Sequence, residues 1–325
     1  MSIKIGLVSI LVVLWVNSAH AAPAPNLPPE TRNAALRYWM AFAEIQDPPA
    51  GKETSDLLEK TAEGEAPWDE AKLGPILDKN ETAIQIMQRA TKLPDCDWGI
   101  EYSRGPVASI AYAPRARVLA RLNTLYGMRL AAKGDQQGAV NTWLTGIRFS
   151  QDLAKGGTLV FVLIAKTAFL SNLNALTQAA EKRTLSASQK AQVARALRAL
   201  PETAFDWTQA LALEQSAIEI FVKNIKAAGN PAEYYEQLMG APPPSDPAAL
   251  SASDAAAFAK VMSAAEQAMR LPPDQAGARL KTLQPALDAL NPIYRQLTPS
   301  FAKTNLSRKE IASQRNQLLS LLAGY

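Results

Sequence analysis

The residues of this 325-residue chain that could carry out chemistry are few, and one short stretch gathers several of them. Leu93 to Pro106, LPDCDWGIEYSRGP, holds the only cysteine, Cys96, together with Asp95, Asp97 and Glu101. Acids at alternate positions with a glycine among them imitate the start of a calcium loop, in which side-chain oxygens converge on the ion. The imitation stops early. A loop begun at Asp95 would need glycine where the chain has Ile100 and a bidentate acid where it has Pro106, so no metal site is expected. Cys96 has no histidine beside it, and only nearby arginines could lower its pKa. The stretch therefore reads as an ordered corner, with Cys96 and Trp98 as apolar plugs and Gly99 and Gly105 supplying the turns.

The single histidine, His20, falls in a segment with the layout of an export signal. Met1 to Lys4 is basic, Ile5 to Val16 is largely apolar, and Ser18-Ala19-His20-Ala21 ends in a small-x-small cleavage pattern. Residues 1–21 are thus expected to be a signal peptide, which places the protein in the periplasm or outside the cell. The apolar run is shorter than the roughly 20 residues needed to cross a bilayer, and no membrane span is expected after cleavage. Cleavage removes the histidine, and with it Ser-His-Asp and Cys-His nucleophile pairs and His-based zinc sites. A lone cysteine forms no internal disulfide, so stability must come from apolar burial.

Carboxylate chemistry survives these exclusions. Glu214-Gln215-Ser216 and Glu101-Tyr102-Ser103 each place a serine two residues after a glutamate, and one buried glutamate on a helix can act as general acid and base on a glycan. Neither is followed by the glycine-rich segment of lytic transglycosylases. The favoured reading is an exported, non-enzymatic helical scaffold or binding protein for a protein or peptide. A carboxylate-dependent glycan or cell-wall enzyme is the alternative. No catalytic, cofactor-binding or metal-binding residue is assigned. The net charge of +4 is too slight to argue for nucleic acid.

The elements that must position these residues are helices. Hydrophobic residues make up 48% of the chain but aromatics only 7%, and alanine and leucine dominate, which favours helix over strand. The expected fold is all-α, an antiparallel helical bundle or a short helical-repeat array. Ala35, Tyr38, Trp39, Phe42 and Ile45 fall on one helical face, and Pro75 predicts an early break in a helix from Trp68 to Lys92. Pro114–Lys133 and Gln136–Ala154 should form an antiparallel hairpin across Gly134-Asp135. Thr158–Glu181 is apolar on nearly every side, which predicts burial of Leu159, Phe161, Leu163 and Phe169. A helical domain over 22–240 is expected, then a Pro-rich linker or loop at 241–250, then C-terminal helices over 251–325 packed back on the main domain. Arg117 and Arg121, four apart on one helical face, are the expected partners of Asp97, with Trp98 covering the pair; Asp97, Trp98, Arg117 and Arg121 form the candidate structural or binding cluster.

Two resemblances add to this reading. Gly127, Ala139, Trp143 and Gly146 stand at the intervals of the small and aromatic positions of a tetratricopeptide repeat, over one hairpin only and with Leu130 in place of an aromatic. Asn33-Ala-Ala-Leu-Arg-Tyr-Trp, Cys96-Asp97-Trp98-Gly99 with Gly105-Pro106, and Gly134-Asp135 resemble a group of exported bacterial all-helical proteins of uncharacterised function. That resemblance implies no activity. It implies that the corner belongs to the architecture.

Overall fold

The computed structural model describes residues 30–48, 51–107 and 112–324. The expected signal peptide lies outside the described residues. Within them the chain is all-α, and the one β-type pairing is an isolated bridge between Asn33 and Asp95.

The first helices are α1 (Ala34–Ala43), α2 (Lys52–Glu63), α3 (Glu70–Lys79) and α4 (Glu81–Ala90). Asn33 caps α1 by accepting from the Ala35 amide, and Asp69 caps α3 by accepting from Ala71 and Lys72, each satisfying amides that a helix start leaves unpaired. Pro75 does not break its helix. It sits inside α3, and the chain interrupts instead at Asn80, whose buried amide bonds the Ile76 carbonyl and both backbone groups of Gln46. Those bonds pin the α3–α4 junction to the chain leaving α1, which outweighs the single helical bond that a proline removes.

The centre is α5 (Ala113–Ala132), α6 (Gln136–Ala154) and α7 (Leu159–Glu181), each packed on the other two. The glycines of the repeat-like hairpin allow the close approach. A Cβ on Gly127 would lie 2.3 Å from the Trp143 indole nitrogen, and one on Gly146 would meet Asn172 of α7 at 2.3 Å. The space Gly127 leaves open is filled by the Trp143 ring, which donates to the Thr124 carbonyl at 3.2 Å. Leu159, Phe161 and Phe169 are buried, but Leu163 is 43% exposed, with Val160 beside it on the same face. The uniform apolarity of the start of α7 therefore conceals a face that no helix among the described residues covers. Along its length α7 is long and apolar enough to cross a membrane, yet it is mostly buried among its neighbours.

Next come α8 (Ala187–Arg198), opened by a Ser186–Gln189 capping box, α9 (Trp207–Ala227) and α10 (Pro231–Met239). The start of α9 at Trp207 is fixed by Asp206, which supplies the cap by accepting from the Gln209 amide. The C-terminal helices are α11 (Ala252–Met269), α12 (Pro273–Lys281), α13 (Gln284–Asp288), α14 (Pro292–Leu297) and α15 (Phe301–Ala323). Here α11 packs on α9 and α15 on α7. The α15 contact with α8 is polar as well as apolar: Arg315, almost fully buried, donates to the Leu197 and Leu200 carbonyls at the end of α8. A guanidinium there satisfies carbonyls that have no helical partner and meets the negative end of the dipole.

Candidate functional site

The corner between α4 and α5 is stitched to α1. Asn33 accepts from the Asp97 amide at 2.8 Å and donates to the Asp97 carbonyl at 2.9 Å, while Ala34 donates to the Asp95 carbonyl and Asp95 to that of Arg32. The stretch that begins at Asn33 and the one around Cys96 to Gly99 thus meet in space. From this anchorage the chain sends Trp98 inward. Its ring stacks on Tyr112 at 4.2 Å and lies near-parallel to Tyr38 and Phe42, and its indole N–H donates at 2.8 Å to the Asp152 carbonyl near the end of α6. The Cys96 thiol points at the same carbonyl from 3.7 Å.

Asp152 is the charged centre of the corner. Its side chain is wholly buried, accepts from the Tyr38 hydroxyl at 2.7 Å, and lies 3.3 Å from Arg148 and 3.4 Å from Lys155. Burial raises its carboxyl above the ordinary value, against the pull of Tyr38, Arg148 and Lys155. Burial and then the Asp152 charge push the Tyr38 hydroxyl far up, which keeps it protonated and donating. Burial pushes the Cys96 thiol up to about 12, with the Asp152 charge adding to the shift, so at neutral pH it is not a thiolate and not a nucleophile. Sequence reasoning missed Asp152 because Arg148-x3-Asp152-x2-Lys155 looks like an ordinary solvated face. A signal was present: an acid in the last turn of a helix opposes the dipole and needs a compensating reason.

The predicted acids disperse. Asp95 pairs with Arg32 at 3.2 Å, Glu101 with Arg104 at 3.3 Å, and Asp97 turns back to accept from the Gly99 amide at 2.9 Å. Among the described residues no three His, Cys, Asp or Glu side chains group as metal ligands. The expected Asp97–arginine pair is not formed. Asp97 is exposed and held through its backbone; Arg121 faces Glu59 at 4.0 Å, and Arg117 makes no ion pair among the described residues. Helical spacing shows which arginines share a face but not which way the loop opposite travels, and the Asn33 clamp decides that. Asp97→Asn should accordingly melt within about 0.5 kcal/mol of the parent, because an asparagine oxygen can accept from Gly99 equally well. Coupling of this variant to Arg117→Met or Arg121→Met in a thermal-melt cycle would contradict the geometry.

Of the two glutamates weighed for catalysis, Glu101 is exposed and Glu214 is largely covered. Glu214 spends its carboxylate on the start of α7, accepting from the Leu159 amide at 3.1 Å and from Thr158. It is absent from the walls of the adjacent cleft of about 100 Å³, which Ile100, Tyr102, Val160 and Phe161 help to line. Burial raises its carboxyl above the usual 4.5. The folded state therefore holds that proton more tightly than the unfolded chain does. The stabilising contribution is complete below pH 4.5 and is lost as pH rises through the folded value. Glu214→Gln should gain on the parent as urea unfolding is moved from about pH 4 to about pH 7. A gap that is constant or narrows would overturn this.

A longer open feature runs along α7. A polar stripe of Thr167, Ser171, Asn174 and Thr177, on a largely apolar helix, floors a cleft of about 670 Å³ walled by Glu63 and Glu65 at the end of α2 and by Glu310, Gln314 and Gln317 of α15. It shares Glu63, Thr167 and Ser171 with a smaller recess containing Arg117 and Arg121. At the other end it shares Glu65 with a cleft of about 530 Å³ whose walls include Trp68, Met128 and Trp143. No family model, curated protein or solved structure matches the chain.

Proposed function

We propose that the chain is an exported, non-enzymatic helical scaffold, periplasmic or secreted, that binds a protein or peptide in the groove along α7. The observation that carries this reading is the groove itself: polar side chains on the most apolar helix of the fold, left uncovered between α2 and α15. Buried polar surface is costly unless paired, and a polar stripe on a central helix is accounted for by solvent and a ligand rather than by another packed helix. The catalytic alternative has less support, because the two largely buried carboxylates in the neighbourhood of the corner are engaged, Asp152 by Tyr38, Arg148 and Lys155, and Glu214 by the start of α7.

Panning a random peptide library on the chain and on Ser171→Trp, with melting curves to establish that the variant folds, tests the reading. Peptides should be enriched by the parent and bind the groove-filled variant at least tenfold more weakly. Enrichment that ignores the substitution, or no enrichment, overturns it. Turnover of glycan oligomers that is lost in Glu214→Gln would establish the enzyme instead.

A further inference from the structure

We propose that the middle of this groove selects an extended peptide segment bearing lysine or arginine, an inference that rests on the groove being the binding site. The argument starts from protons. Each hydroxyl on the floor has a single proton to give, and each gives it to its own helix: Thr167 to the Leu163 carbonyl at 3.4 Å, Ser171 to Thr167 at 3.1 Å, and Thr177 to Leu173 at 2.9 Å. Asn174 directs its amide nitrogen at the Glu63 carbonyl, which turns its oxygen the other way. The floor therefore offers a row of acceptor oxygens and few donors. A ligand that fits it brings N–H groups.

The walls add charge of one sign. Glu63, Glu65 and Glu310 face the cleft, and Lys166 is the one cation among its described lining residues, set against Glu310 at 2.5 Å and bonded to Ser307. Glu63 and Glu65 form no ion pair among the described residues, so a guest ammonium or guanidinium finds carboxylates that are not already matched. Cations bound the section at both ends, Arg117 and Arg121 in the smaller recess and Lys182 in the aromatic one. The floor from Thr167 to Thr177 spans about 15 Å at ~1.5 Å per helical residue, the length of four or five extended residues at ~3.3 Å each. Whole-molecule electrostatics work against such a guest, because the chain is +4 overall with a pI near 9.0. Affinity for a cationic peptide must then arise locally, from these side chains.

Fluorescence anisotropy with labelled penta-lysine, penta-serine and penta-glutamate at low ionic strength tests the proposal on the full mature chain. Penta-lysine should bind at least tenfold more tightly than either of the others and weaken as salt is added. The Glu63→Gln/Glu65→Gln double variant should lose at least fivefold in affinity at an unchanged melting temperature, while Glu233→Gln/Glu236→Gln on α10, away from the groove, should lose none. Equal binding of penta-serine or penta-glutamate overturns the proposal, as does an unchanged affinity in the Glu63/Glu65 variant. Spermidine competing as tightly as unlabelled penta-lysine overturns it in favour of a small polyamine site. Library peptides that need an open groove at Ser171 but show no preference for lysine or arginine would leave the groove reading standing and remove only this one.

Discussion

Replacing Trp98 by alanine should destabilise the protein by about 3–5 kcal/mol and lower its melting temperature by roughly 10 °C. The ring is 7% exposed and stacked among Tyr38, Phe42 and Tyr112, so its removal opens a cavity that three aromatic rings bound together cannot easily close. It also takes away the indole N–H that the Asp152 carbonyl accepts at 2.8 Å, leaving that oxygen the weaker bond from the Lys155 amide at 3.3 Å. Trp98→Phe separates the two contributions. It keeps most of the buried area and loses only the donor, for a cost of about 1–2 kcal/mol. A loss below about 1 kcal/mol in Trp98→Ala, by urea or thermal unfolding, would show that the corner is not a packed part of the core.

The second large effect belongs to Asp152. Asp152→Ala should cost about 2–4 kcal/mol, because it leaves the Tyr38 hydroxyl buried with no acceptor, while Arg148 and Lys155, each 41% exposed, can return to water. Tyr38→Phe takes away the donor instead, and a hydrogen bond to a buried charge contributes about 1.5–3 kcal/mol. The double variant should lose less than the sum by at least about 1 kcal/mol, since once either partner is gone the other has nothing further to lose. Strict additivity would mean that the bond at 2.7 Å contributes nothing to stability.

Much of the architecture could be read from residue spacing, and particular residues show why. The α5–α6 hairpin and the burial of Phe161 and Phe169 follow from apolar periodicity and from two glycines facing large side chains, both local properties. Breaks were harder. Pro75 is the obvious breaker, yet the interruption falls at Asn80, whose decisive bonds run to Gln46, 34 residues away. Trp98 could be recognised as a plug from its type and its glycine neighbours. Its anchor could not, because the Asp152 carbonyl is 54 residues distant and a backbone oxygen leaves no mark in a sequence. Leu163 misled for the opposite reason. An apolar side chain does not record whether a neighbour covers it, and a folded surface is more than half apolar in any case.

The position of Cys96 makes the thiol a record of the order of events during folding. Its cover is assembled from far along the chain, from Asn33 clamping the next residue across a separation of 64 and from Asp152 across 56. In the unfolded chain neither contact exists, and the thiol has the ordinary acidity and exposure of a free cysteine. Two clocks therefore run against each other: closure of these long loops, whose entropic cost must be met before the contacts form, and capture of the thiol by an oxidant or by a second chain. A chain that closes first leaves its sulfur half-covered against the Asp152 carbonyl. One that is captured first carries an adduct at the spot where Trp98 must enter, and is held back from the native state until the sulfur is released.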